Sequence, residues 1–194
     1  MHIESLSGVL LYLTAFLIIF SENGVFFLFF LPGDSLLFAL GLLANQGTIN
    51  IWYLIPLLIV AAICGNVLGY FLGQISRAGF EKGKYLPKVK PAHLEQAKRF
   101  YDKHGILAIF FARWVPVMRT IVPFFAGVAG MRTRVFRLWS ILGGIAWIAS
   151  VTLAGYFFGD TFNIDELGNL GIIVIGAAVV ATPVFLAVLK RLFK

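Results

Sequence analysis

From Ile51 to Gly73 the chain runs 23 residues without one charged side chain. As a helix that stretch is about 34 Å long, more than the roughly 30 Å of a bilayer's hydrocarbon layer. Leu138 to Gly159 and Leu170 to Leu189 qualify as spans in the same way. Leu6 to Phe20 is shorter and needs its flanks to complete a crossing. Composition leaves no other solvent for these runs: 60% of the 194 residues are hydrophobic, 13% are charged and 20 are Phe, more apolar surface than a water-facing domain of this size can hide.

Two further apolar segments are interrupted. Pro32 and Gly33 split Val25 to Ala44, and Pro116 and Pro123 split Ile106 to Gly130. Each proline removes a backbone donor and disfavours helix in the residue before it. Broken backbone at membrane depth must be enclosed by protein or line a wet cavity, because lipid satisfies no freed carbonyl. Both segments therefore read as re-entrant helical hairpins, 22–45 and 106–130, with Pro32, Gly33, Pro116, Pro123 and Gly127 setting their geometry.

Charge orients the chain. Eight Lys or Arg fall between Arg77 and Lys103, Arg132, Arg134 and Arg137 follow the second hairpin, and Lys190, Arg191 and Lys194 close the chain. The positive-inside rule puts all of them in the cytoplasm. Asp160 to Asn169 carries Asp160, Asp165 and Glu166 with no basic residue and goes outside. Both termini are then cytoplasmic, and the hairpins enter from opposite leaflets. The fold class is an all-α polytopic membrane protein, an inverted repeat with two re-entrant hairpins and about four spans.

One domain, 1–194, divides into a first half (5–73), a basic cytoplasmic segment (74–105), a second half (106–189) and a basic tail (190–194). Leu68-Gly-Tyr-Phe-Leu-Gly73 returns 86 residues later as Ala154-Gly-Tyr-Phe-Phe-Gly159, an internal echo on oppositely directed spans. Within the basic segment, Leu94, Ala97, Phe100 and Tyr101 recur at helical spacing and predict an amphipathic helix on the inner leaflet.

Four ionisable residues stand inside the interrupted regions: Glu22, Asp34, Arg113 and Arg119. Each costs on the order of 3 kcal/mol at the centre of a membrane helix, so they must pair or meet water. On one continuous helix Glu22 and Asp34 would lie about 18 Å apart in depth, and Arg113 and Arg119 would point about 120° apart. The proline breaks remove both restrictions and permit one polar chamber. Guanidinium forks suit phosphate oxygens, so Arg113 and Arg119 are the substrate-binding candidates. Glu22 and Asp34 are the candidates for proton coupling. Competing readings place Glu22 at the outer interface, make Asp34 an N-cap, let the arginines snorkel, or make the four charges a structural ion-pair cluster. A proton or cation antiporter using the same acids is a further alternative, weakened by two arginines that oppose cation entry.

Other classes find little support. Cys64 is alone and reads as a buried small apolar residue. His2, His93 and His104 have no zinc-site spacing, so neither a metal nor another cofactor is expected. The net charge of +7 flanks apolar spans instead of lining a face with aromatics, which points to membrane lipid and not nucleic acid. No His, Ser or Cys is placed by the sequence beside the arginines, so no enzyme nucleophile is expected. The first basic residue is Arg77, which leaves the N-terminal stretch without the basic region of a cleaved signal. A bacterial cytoplasmic membrane is the expected location, and a homo-oligomer is left open.

The motifs Glu22-Asn-Gly, Leu31-Pro-Gly-Asp-Ser-Leu-Leu37, Gly65-Asn-Val-Leu-Gly-Tyr-Phe-Leu-Gly73, Phe111-Ala-Arg-Trp-Val-Pro-Val-Met-Arg-Thr120 and Val122-Pro-Phe-Phe-Ala-Gly127, with Met131 and Phe136, resemble the DedA family, part of the wider VTT or SNARE-associated group. The resemblance covers roughly Leu6 to Leu189. It implies facing re-entrant helices and translocation of a lipid such as undecaprenyl phosphate or phosphatidylethanolamine, coupled in some bacterial members to protons. It also implies functional acids at Glu22 and Asp34 and functional arginines at Arg113 and Arg119. Phe27 stands where many members carry proline, and Asn66 where relatives often have Asp, so no proton-carrying role is given to Asn66.

Overall fold

The computed structural model describes residues 2–25, 33–81 and 107–159. Every regular element among them is helical: α1 His2–Gly24, α2 Gly33–Asn45, α3 Ile51–Glu81, α4 Leu107–Phe111, a 3₁₀ turn Ala112–Trp114, α5 Pro116–Val128 and α6 Thr133–Phe158. Pro32, the amphipathic helix expected at 92–103, the acidic loop, the Leu170 to Leu189 span and the basic tail lie outside the described residues.

Ile51–Arg77 and Thr133–Phe158 are long and apolar enough to cross a membrane. Their exposed faces are apolar: Val60, Val67, Phe71 and Ile75 form one helical stripe on α3, and Leu138, Ile141, Leu142 and Ile145 form another on α6. Glu22, Arg113 and Arg119 meanwhile are buried. This distribution inverts that of a water-soluble protein and suits a lipid solvent. Cys64 falls on the exposed α3 stripe, so the expectation of a buried thiol is corrected.

Sequence places the helix boundaries less well than the spans. The first apolar run continues through Glu22 as the last turn of α1, which ends at Gly24, and Gly33 of the expected break is the first residue of α2. The second break falls at Ala112 to Val115, where Val115 is extended (φ −107°, ψ 108°) and Pro116 opens α5. That is the steric effect of a proline on its predecessor. Pro123 does not split the segment, contrary to expectation, because it lies inside the continuous helix α5. Its ring is buried, 3.5 Å from where a Cβ would stand at Gly69 of α3, and the helix runs on through a position that offers no N–H to the Arg119 carbonyl. Helix α5 ends in a Schellman turn: Met131 N–H donates to the Ala126 carbonyl at 3.0 Å and Gly130 N–H to that of Gly127 at 3.1 Å, with Gly130 at φ 72°.

The chain forms two compact units. Of the described residues, the first comprises 2–21, 33–61 and 148–159. There Asn50 caps α3 by accepting from Trp52 N–H at 2.9 Å, and its own N–H donates to the Tyr12 hydroxyl at 2.8 Å. Helices α2 and α6 cross backbone to backbone: a Cβ at Gly41 would strike the Thr152 carbonyl and Tyr156 N, and one at Gly155 would strike Phe38 O.

Of the described residues, the second unit comprises 22–25, 62–81 and 107–147. Its core joins Tyr70, Ile109, Ala112, Val122, Ala126 and Phe136, with Tyr70 stacked on Phe136 at 4.4 Å. Tyr70 also donates to the Met131 carbonyl at 2.5 Å. Helices α3 and α5 cross as closely as the pair in the first unit: a Cβ at Gly127 would strike Tyr70 O and Gln74 N, and one at Gly73 would strike Phe124 O. The sequence expected Gly127 to shape a hairpin; its work in the structure is to let α5 touch α3. The two crossings use equivalent residues, Phe38 and Gly41 on α2 against Phe124 and Gly127 on α5, at the 86-residue offset of the sequence echo. On the partner helices Gly155 answers to Gly73, one helical turn out of step with that echo.

Adding a methyl group at Gly127 has no free space to enter. Gly127→Ala is expected to lower stability by about 1–3 kcal/mol, read as a lower melting temperature in detergent, while Ala substitution at Gly8, which faces open space, leaves it unchanged.

Candidate functional site

Three of the four ionisable residues singled out in the sequence, Glu22, Arg113 and Arg119, lie in the second unit around the last turn of α1. Gly24 there packs on α3, where a Cβ would meet the Gly65 carbonyl oxygen at 3.2 Å and Leu68 at 3.2 Å. The absence of a side chain at both glycines lets the chain end of α1 lie against α3 with Glu22 and Asn23 turned into the unit, 0% and 1% exposed.

Arg119 comes from the first turns of α5, set there by the Val115–Pro116 start. Its Nη2 donates to Glu22 Oε1 in a salt bridge that is fully buried. The Arg119 guanidinium also stands 4.6 Å from the ring centroid of Trp147 on α6, so a carboxylate and an aromatic face share one cation. Removing either charge of such a pair leaves the other uncompensated in a medium that solvates it poorly.

Arg113 comes from the 3₁₀ turn and is 2% exposed. Its Nη1 donates to Asn23 Oδ1 at 3.3 Å, and its Nη2 donates to Ser140 Oγ at 2.7 Å and to the Ser140 carbonyl at 3.3 Å. All three acceptors are neutral. Gly143, one turn beyond Ser140, clears the path: a Cβ there would come within 3.1 Å of Arg113 Cγ. Among the described residues no carboxylate bonds this guanidinium. The cluster of Glu22, Arg113 and Arg119 therefore carries one surplus positive charge.

Of the four expected ionisable residues, three meet here. Asp34 belongs to the first unit, half-buried inside the first turn of α2 and not ahead of it as an N-cap, at the positive end of that helix. Sequence reasoning misses Asn23, Ser140 and Trp147. Asn23 adjoins Glu22, and a polar residue beside a buried acid is the available signal. Ser140 and Trp147 give none. Ser140 also corrects the expectation that no serine stands beside the arginines, although its hydroxyl oxygen is occupied as an acceptor. Asn66, 0% exposed on the buried face of α3, donates to the Ala62 carbonyl at 2.6 Å.

The VTT domain family matches residues 31–157 of the chain. The chain belongs to the DedA family. Protein DedA of Escherichia coli K12 is 36% identical over 176 residues, 90% of this chain and 80% of the relative. An uncharacterised membrane protein of Mycobacterium leprae is 40% identical over 159 residues, 82% and 70% of the two chains. Inner membrane protein YqjA of E. coli K12 is 35% identical over 153 residues, 78% and 69%. No solved structure matches the chain. With the outward apolar stripes, this makes the DedA-family chain a membrane protein, helical throughout its described elements, in which Glu22, Arg113 and Arg119 are buried on three different helical segments.

Proposed function

We propose that the protein translocates a phospholipid-type substrate, of the undecaprenyl phosphate or phosphatidylethanolamine class, across the bacterial cytoplasmic membrane, coupled to protons. The observation that carries this reading is Arg113, buried and held only by neutral acceptors among the described residues. A cluster built only to lock helices together would balance its charges, since an uncompensated buried cation is costly. A surplus guanidinium is compensated when a phosphate oxygen arrives, and the acyl chains can stay in the bilayer while the head group enters. The same surplus opposes a cation, which weighs against a cation antiporter.

Glu22, already paired with Arg119, is the carboxylate that phosphate would compete with. Displaced from its arginine, a buried carboxylate takes up a proton, and with Asp34 it supplies the coupling. The matching crossings of α2 with α6 and α3 with α5 support an inverted repeat with re-entrant arms α2 and α5. The basic residues support cytoplasmic termini. No covalent step and no metal enters this reading.

Vesicles reconstituted with the protein and fluorescent phosphatidylethanolamine, phosphatidylglycerol or undecaprenyl phosphate test it. Translocation well above protein-free vesicles is expected. It should fall at least tenfold in Glu22→Gln, which keeps an acceptor for Arg119 but loses the titrating group. Rates equal to protein-free vesicles for all three lipids would sink the proposal, and robust cation flux without lipid substrate would favour antiport.

A further inference from the structure

Glu22 and Asn23 are consecutive, and successive helical side chains diverge by about 100°. One therefore reaches Arg119 and the other Arg113. The first is an acid and makes an ion pair; the second is an amide of nearly the same shape as aspartate and makes a neutral hydrogen bond. Ser140 on α6 completes the neutral cradle from another side. Together these bonds engage three of the five N–H donors of Arg113, so among the described residues two remain for a ligand.

From this we infer that Asn23 and Ser140 are positioning residues whose neutrality, not merely whose hydrogen bonding, is required: they orient Arg113 without cancelling its charge and so favour a phosphate head group of net negative charge over a zwitterionic one. The inference rests on the lipid-transport reading and deepens it. A carboxylate at position 23 would satisfy the same donor better than the amide does, because charge-assisted bonds are shorter and stronger. It would also bring the cluster to two acids and two bases, with nothing left to attract an anion. Fold and function should thus respond to one atom's change in opposite directions.

The test compares wild type, Asn23→Asp, Asn23→Ser and Ser140→Asp in vesicles carrying fluorescent phosphatidylglycerol or phosphatidylethanolamine, with melting temperatures measured on the same preparations. Asn23→Asp should melt at or above the wild-type temperature and move phosphatidylglycerol at least tenfold more slowly, chiefly through a raised KM. Its preference for phosphatidylglycerol over phosphatidylethanolamine should fall with it. Asn23→Ser, still neutral but too short to reach Arg113, should lose less transport than Asn23→Asp and keep the wild-type lipid preference, and Ser140→Asp should repeat the Asn23→Asp pattern from the other side of Arg113. Wild-type transport in Asn23→Asp overturns the inference while leaving the transport reading intact. An Asn23→Asp protein that fails to fold overturns it too, since a carboxylate able to pair with Arg113 must be accommodated. If the wild type moves none of phosphatidylglycerol, phosphatidylethanolamine and undecaprenyl phosphate, the transport reading fails and takes this one with it.

Discussion

Arg119→Met will cost the protein about 3–5 kcal/mol of stability, and adding Glu22→Leu will return most of that loss while lipid transport stays at zero. The single change leaves the Glu22 carboxylate buried at 0% exposure with its salt-bridge partner gone. The double change replaces a desolvated pair by apolar side chains, and such replacements are neutral or stabilising by about 1–4 kcal/mol in other buried sites. Chemical denaturation in mixed micelles measures the stabilities, and vesicle translocation of phosphatidylglycerol measures activity. Stability that fails to recover in the double variant would show that Glu22 and Arg119 do not act as one pair. Activity that recovers with stability would show that the pair is structural.

Arg113 should behave in the opposite sense. Arg113→Gln will leave the melting temperature unchanged or raise it, and will lower translocation about 100-fold. The guanidinium is buried among neutral acceptors, so its charge is a burden to the resting fold, and a shorter neutral amide removes that burden along with the bonds to Asn23 and Ser140. Two charge-assisted bonds to a phosphate are worth about 3 kcal/mol together, which is about a hundredfold at 1.4 kcal/mol per decade. The same measurements decide it. A marked loss of stability in Arg113→Gln would mean that a carboxylate outside the described residues completes the site, and the cluster would then hold no surplus charge.

These contrasts show which parts of the molecule are legible in the sequence. Glu22, Arg113 and Arg119 stand out because a charge inside an apolar run has no cheap place to be, and the structure buries all three together. Asn23 and Ser140 carry as much of the geometry but are neutral, and a lone amide or hydroxyl in a membrane helix costs little enough to pass unnoticed. Trp147 is invisible among the other aromatics, since only its position over Arg119 sets it apart. Pro116 is legible because it restrains its predecessor wherever it falls. Pro123 misleads because it lies inside a continuous helix packed beside Gly69, and tertiary packing is not written in a local motif. Gly127 draws notice for the wrong reason: a glycine in a broken segment suggests a bend, whereas the absent side chain here serves contact with a neighbouring helix.

The two glycine crossings also dictate an order of biogenesis. In each, a helix from the first half of the chain meets a helix from the second: α3 waits for α5, and α2 waits for α6. The N-terminal half leaves the ribosome with both of its contact surfaces unmet, so it must be kept from degradation until the C-terminal half is inserted beside it. Cut within the intervening basic stretch and supplied as two separate polypeptides, the halves should each be short-lived alone and reconstitute one working molecule when made together.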